Sequence, residues 1–216
     1  PHDYLWLSTT HPVLIYNEMR KAYITGADKL WILNVGDIKP AEYNIQLFMD
    51  MAWNIKEFNS EDDVIKHMYK WYSYNINNNF SKRIVDIYLD YYNLAFQRKP
   101  EFMGFNQVEP TRIINKSAFN HFKYGDEAGS RLKLYEYLAK TVDSLYKKVP
   151  EYRKDAFYQL VYYPVIASYL MNKKFIYYEK SLIYTSHYRK SINDYSFNSK
   201  LAYDSIKIIT DIYNEN

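Results

Sequence analysis

The chain lacks cysteine altogether and is poor in glycine and proline. Its 216 residues include no Cys, 5 Gly and 7 Pro, and no glycine follows Gly129. The absence of thiols excludes a disulfide scaffold, a thiolate metal site and a cysteine nucleophile. It does not fix the compartment, because cysteine-free chains occur on both sides of a membrane. The scarcity of turn-forming residues after Gly129 predicts that the later part consists of long helices.

Neither sign of charge dominates, and no apolar run is long enough to cross a bilayer. Lys and Arg number 28 against 25 Asp and Glu, and the net charge is +3 with both signs interspersed. Without a basic stripe the chain carries no nucleic-acid footprint. The longest apolar stretch, from Leu160 to Met171, is interrupted by Pro164, Ser168 and several tyrosines. We therefore predict neither a nucleic-acid nor a membrane partner.

Tyrosine is unusually abundant, with 26 residues. A tyrosine ring buries a large apolar area while its hydroxyl finds water or a hydrogen-bond partner. We interpret the enrichment as core and interface packing rather than as an aromatic platform for a ligand.

Helical spacing of apolar residues and terminal signals predict a series of helices. The first is predicted over Pro12–Thr25, with Gly26 as the terminating glycine, and the second from Pro40 to about Trp53. Later helices are predicted at about 60–74, 81–98, 126–148, 150–180 with a kink at Pro164, and 181–213 with an interruption at 194–199.

One segment breaks this pattern. Residues 29–35 form a short, nearly continuous apolar run that ends at Gly36, which is typical of a strand buried on both faces of a parallel sheet. A lone strand needs neighbours for its backbone groups. We therefore predict that residues 1–56 are the last part of a truncated α/β barrel and that residues 57–216 form a helical bundle. The fold class is mainly α, with a helix–strand–helix remnant first. The alternative is a helical protein with one short hairpin.

Polar residues follow this predicted strand, at the end where parallel α/β folds carry their sites. They are Asn34, Asp37 and Lys39, an amide, a carboxylate and an ammonium group around Gly36. An amide can orient a water or a sugar hydroxyl with its donor and acceptor atoms. The structural alternative is that Asn34 caps a turn and Asp37 caps the helix near Pro40. We favour a functional role for Asn34 and leave both interpretations open for Asp37 and Lys39.

Other chemical signatures are missing. The five histidines show no metal-ligand spacing, and the sequence has no Gly-x-Ser-x-Gly, Walker or dinucleotide-binding motif. We predict neither a metal site nor a cofactor.

The string Trp31–Pro40 (WILNVGDIKP), with Glu42, Phe48, Asp50 and Ala52-Trp53 after it, resembles glycoside hydrolase family 115, the xylan α-1,2-glucuronidases. The opening Pro1–Leu7, the string Arg98–Glu101 and the run Ala156–Pro164 match the same family in the same order.

The resemblance implies a large, multidomain, secreted or periplasmic enzyme whose barrel-like catalytic domain precedes a helical bundle. Such enzymes remove 4-O-methylglucuronic acid from glucuronoxylan with inversion. The active-site asparagine of the family falls on Asn34, which is our predicted catalytic residue, with Asp37 and Lys39 predicted to bind substrate. The acidic site residues of the family lie upstream of the chain, so we expect these 216 residues alone to be inactive.

Three further expectations concern the extent of the polypeptide, its function and its assembly. The start at Pro1, without an initiator Met or signal peptide, suggests a cut inside a longer polypeptide. The alternative to an α-glucuronidase fragment is a non-catalytic helical interaction or carbohydrate-binding module. We also expect a homodimer whose contact is built on residues 1–53 rather than on the bundle, because the exposed apolar strand at 29–35 is a template for pairing.

Overall fold

A computed structural model describes residues 6–105 and 114–215 and confirms the predicted mainly α fold class. Its helices in chain order are α1 (Pro12–Ile24), α2 (Glu42–Trp53), α3 (Glu61–Asn75), α4 (Asn78–Gln97), α5 (Glu127–Tyr146), α6 (Lys154–Phe157), α7 (Tyr163–Ser186) and α8 (Ile192–Glu215). Three short 3₁₀ turns, at Ile55–Glu57, Pro100–Phe102 and Glu151–Arg153, lie between them. None of the helices in the described ranges is long and apolar enough to cross a membrane.

The chain divides into two compact units. The first is Asp3–Gln97, which holds α1 to α4, and the second includes Arg98–Asn216, which holds α5 to α8. The domain boundary that the sequence analysis placed near residue 56 therefore lies inside the first unit. The structure keeps α2 together with α3 and α4.

Tyrosine rings form the core of the first unit. Tyr43 of α2 stacks on Tyr72 of α3 at 6.0 Å between ring centroids, and Tyr72 stacks on Tyr88 of α4 at 5.3 Å. Tyr91 packs edge-on against Tyr88, and Tyr92 packs edge-on against Tyr91. Each such ring pair contributes about 0.5–1.5 kcal/mol beyond its buried area. The five rings are buried, so the tyrosines are packing residues here, as the sequence analysis proposed.

The helix ends follow local chemistry. The Nδ1 atom of His11 accepts the backbone N–H of Val13 at 3.1 Å, which caps α1. Burial lowers the pKa of His11, which favours the neutral ring that accepting requires. At the other end, Gly26 adopts a φ of 106° and closes the helix as predicted. Ser60 and Asp63 form a capping box at the start of α3.

The strand predicted at residues 29–35 is wrong. Residues 30–35 have no regular secondary structure, and the part of the chain that the structure describes contains no β-strand. Leu30 is 75% exposed and Ile32 82% exposed, whereas Trp31 between them is half-buried. The exposed and the partly buried side chains of this run are both apolar. Only the partly buried ones pack against the protein, because no described strand lies beside the run to cover the others. We call residues 29–35 the apolar segment.

In the second unit, α7 and α8 pack against each other in opposite directions. Early α7 meets late α8, since the rings of Tyr163 and Tyr213 stack at 4.2 Å. Late α7 meets early α8, where Tyr177 contacts Tyr195 at 5.7 Å. This is the antiparallel bundle that the sequence predicts. The break between the helices falls at residues 187–191 and not at 194–199, which lie inside α8.

A wide helical turn precedes Pro164, where the sequence analysis expected a kink. Residues Tyr158–Tyr162 form a π-helix between α6 and α7. Proline has no N–H to donate to the preceding turn and its ring clashes with a carbonyl there. A π-turn relieves such a clash inside a continuous helix.

Two buried polar networks hold the second unit together. In the first, Arg131 is 3% exposed, and its Nε donates to Asn172 Oδ1 at 2.8 Å. Its Nη2 donates to the backbone oxygen of Arg98 at 2.7 Å. Burial lowers the pKa of Arg131, and these acceptors compensate part of the desolvation cost of its charge.

The second network surrounds Glu179, which is 2% exposed. Its Oε1 accepts the backbone N–H of Ser117, and its Oε2 accepts the Ser117 hydroxyl at 2.9 Å. The Nε2 atom of His121 lies 2.8 Å from the same Oε2. One carboxylate on α7 therefore anchors the segment that leads into α5.

We expect Glu179→Ala to lower the free energy of unfolding by about 3 kcal/mol, because three donors lose their acceptor in a buried place. Urea unfolding followed by circular dichroism measures the change. The matched control is Asp204→Ala, which removes a partly exposed ion pair with Lys200 at 3.0 Å and should cost less than about 0.5 kcal/mol. Equal unfolding midpoints for the two variants would contradict the anchoring role.

Candidate functional site

The three predicted site residues lie on one exposed loop. Asn34, Asp37 and Lys39 are all exposed. The loop begins at Asn34, near the end of the apolar segment, and runs to the start of α2. A turn closed by the N–H of Ala41 and the oxygen of Ile38, at 2.7 Å, joins the loop to the helix. The structure thus keeps the three side chains within a single surface loop.

The structural alternatives for this loop find no support. The N-cap of α2 is Ala41, and no side chain caps the helix, so Asp37 does not have the capping role that was left open for it. Among the residues that the structure describes, the side chains of Asn34 and Asp37 make no hydrogen bond. Both side chains are available to a ligand, whereas Lys39 already takes part in an interaction within the protein.

The apolar segment positions this loop through Trp31. The indole Nε1 donates to the backbone oxygen of Ala27 at 2.6 Å, and the ring packs on Phe48 of α2 at 5.7 Å. Phe48 is itself buried. The loop is therefore held between a residue of the preceding turn and the buried face of the following helix.

The chemistry of the loop is that of binding and orientation. It offers an amide, an ammonium group and one carboxylate, Asp37. Inverting hydrolysis of a glycosidic bond needs two carboxyl groups about 6.5–9.5 Å apart. The loop therefore cannot supply a general acid and a general base by itself, although an amide such as that of Asn34 can position water or a hydroxyl.

A second polar arrangement joins α2 to α3 and was missed in the sequence. His67 of α3 places Nε2 at 2.8 Å from Asp50 Oδ2 of α2, and the Tyr43 hydroxyl lies 3.3 Å from His67 Nδ1. Burial is the main cause that raises the pKa of Tyr43 well above its usual value, so the hydroxyl keeps its proton. The tautomer with the proton on Nε2 satisfies both contacts.

No spacing rule could have found this arrangement, because Asp50 and His67 lie on different helices and meet only through packing. His67 thus has a partner for each ring nitrogen, Asp50 for Nε2 and Tyr43 for Nδ1. In the described ranges, no group of three or more His, Asp or Glu side chains could hold a metal ion.

Comparisons with known proteins give a consistent result. Residues 1–102 match the model of Glycosyl hydrolase family 115. Among solved structures, the chain is similar to BtGH115A, described as a novel family GH115 4-O-methyl-alpha-glucuronidase with specificity for decorated arabinogalactans. The two are 41% identical with a TM-score of 0.84 over 99% of this chain, which spans 27% of the length of BtGH115A. No curated protein matches the chain. Over residues 1–102 in sequence, and over 99% of its length in fold, the chain therefore resembles glycoside hydrolase family 115.

Proposed function

We propose that the chain is part of an α-glucuronidase that removes (4-O-methyl)glucuronic acid from a decorated glycan by inverting hydrolysis. The observation that carries this proposal is the 41% identity over 99% of the chain to a 4-O-methyl-α-glucuronidase. The chain corresponds to 27% of that protein, so in our proposal a longer polypeptide supplies the remaining catalytic groups. The resemblance also supports a periplasmic or extracellular location.

In this proposal Asn34 is the active-site residue that the chain contributes. Its amide is exposed and has no partner in the described part of the protein. The amide is therefore available to bind substrate or water. Asp37 and Lys39 bind substrate from the same loop. The acid and the base of the inverting mechanism come from the rest of the enzyme.

The substrate class follows from two sources. The similar enzyme is described as specific for decorated arabinogalactans, whereas the family resemblance points to glucuronoxylan. Both carry glucuronic acid on a chain of neutral sugars. We therefore propose a glycan bearing glucuronic acid as the substrate, and activity assays with both polymers decide between the two backbones.

The 216-residue chain alone should release no uronic acid from glucuronoxylan or arabinogalactan, because its predicted site holds no pair of carboxyl groups. A colorimetric assay for released uronic acid checks this, with the longer polypeptide as the positive control. Release by the isolated chain would contradict our division of the active site, and no release by the longer polypeptide would contradict the proposed activity.

Replacing Asn34 by Ala in the longer polypeptide should lower kcat/KM roughly a hundredfold, since a preorganised polar group in an active site contributes about 3 kcal/mol to transition-state stabilisation. The melting temperature should stay unchanged, because Asn34 is exposed and makes no hydrogen bond. Asn93→Ala, an exposed asparagine on α4, is the matched control. Near wild-type turnover of Asn34→Ala would refute the assignment.

We also propose that the isolated chain self-associates through the apolar segment. Leu30 and Ile32 are mostly exposed, and a net charge of +3 opposes association only weakly. Sedimentation velocity at micromolar concentration should show a dimer that Ile32→Lys converts to a monomer. Ile208→Lys, at a residue 61% exposed on α8, should leave the dimer intact, and a monomeric wild-type chain would contradict the proposal.

A further inference from the structure

A cleft with a volume of about 500 Å³ opens between α2, the 3₁₀ turn Ile55–Glu57 and α3. This volume lies within the range of about 300–1,000 Å³ that small-molecule sites occupy. All residues that line the cleft belong to the first unit, between Gln46 and Asn75. The predicted site residues Asn34, Asp37 and Lys39 do not line it, so the cleft is a separate feature.

Aromatic side chains provide the walls of the cleft. Trp53 at the end of α2 is 91% exposed, and Tyr74 near the end of α3 is 81% exposed. Trp71 lies one turn before Tyr74 on the same face of α3, since residues three or four apart on a helix are neighbours. Contact of two large aromatic rings with water at one concave site is unfavourable. Exposed apolar surface of this kind is typical of a binding site.

Buried tyrosines fix the inner ring. Trp71 meets Tyr72 edge-on at 4.9 Å and Tyr43 edge-on at 5.3 Å. Trp71 is only partly buried, so part of its ring faces the cleft. A ring held in this way loses little freedom when a ligand packs on it.

Hydrogen-bonding groups lie between the rings and are already oriented. Asp50 accepts from Gln46 Nε2 at 2.8 Å and contacts His67 at 2.8 Å. The Asn54 amide donates to Glu57 Oε1 at 2.8 Å. Carboxylate and amide oxygens in these pairs keep lone pairs for additional donors. Aromatic faces together with oriented acceptors suit a ligand that has both C–H faces and hydroxyl groups.

The charges in the cleft favour a neutral ligand. The carboxylates of Asp50 and Glu57 line it together with one ammonium group, that of Lys70. An anionic sugar would meet more negative than positive charge there, and like charges repel at close range. A neutral sugar avoids this repulsion and still donates its hydroxyl protons to the carboxylates.

We propose that this cleft binds a stretch of neutral sugar residues, the backbone of the glycan, with Trp53 and Tyr74 as its stacking platforms. The inference rests on the proposed function for its choice of ligand class, because a glucuronidase must hold a neutral backbone whose side group it removes. It adds a binding place apart from the loop that carries Asn34.

Isothermal titration calorimetry of the 216-residue chain with xylohexaose and with a β-1,3-galacto-oligosaccharide tests the proposal. We expect saturable binding of at least one of them with a dissociation constant of about 1 mM or lower. Trp53→Ala should weaken this binding at least about tenfold. Phe96→Ala, which removes another ring that is 75% exposed but does not line the cleft, is the matched control and should bind as the wild type does.

Trp53→Ala should fold normally because its ring is almost fully exposed, and circular dichroism verifies this. No saturable binding up to about 10 mM of either oligosaccharide, or equal binding by the wild type and Trp53→Ala, overturns the proposal. Glucuronic acid that binds as tightly as the neutral probes overturns the ligand class. Because this assay needs no hydrolysis, its failure is distinguishable from a longer polypeptide that lacks glucuronidase activity.

Discussion

The stacking of three tyrosine rings is the interaction on which the first unit depends. Tyr43, Tyr72 and Tyr88 each come from a different helix, and two ring contacts, at 6.0 Å and 5.3 Å, join them into one column. Burial raises the pKa of both Tyr43 and Tyr72 well above the usual value, so these two rings stay uncharged at neutral pH. A flat ring stack also fixes helix spacing more narrowly than branched aliphatic side chains would, because only a few ring geometries are favourable.

The polar features of the first unit are consequences of that spacing. Since Tyr43 and Tyr72 hold α2 beside α3, Asp50 comes within 2.8 Å of His67, and Trp71 packs against both tyrosines. The same helix α2 carries Phe48, on which Trp31 rests, and Trp31 in turn precedes the loop with Asn34. A core of tyrosine rings can also support a polar contact, since the Tyr43 hydroxyl lies 3.3 Å from His67 Nδ1 while its ring packs on Tyr72.

The sequence was informative where structure is local and uninformative where it depends on partners. The capping box at Ser60, the terminating Gly26 and the helix that begins after Asp126 follow from short-range chemistry and were predicted within a few residues. The strand at residues 29–35 was not, because an apolar run indicates burial without saying what supplies it. The break between α7 and α8 was also misplaced, since polar residues at 194–199 resemble a loop but are tolerated within a long helix packed on one side. The loop with Asn34 could be located in the sequence, whereas the contact between Asp50 and His67 required the fold.

The apolar segment links packing to chemistry. Exposure alternates along it, with Leu30, Ile32 and Asn34 exposed and the residues between them partly covered. Asn34 follows Leu30 and Ile32 at the same two-residue spacing, so its amide continues a row of exposed side chains along the segment. Burial of Leu30 and Ile32 is favourable by about 25 cal/mol for each Å² of apolar surface removed from water. A protein surface that covers Leu30 and Ile32 must also lie next to Asn34. Hydrophobic association at the first two residues would therefore determine which groups surround the Asn34 amide.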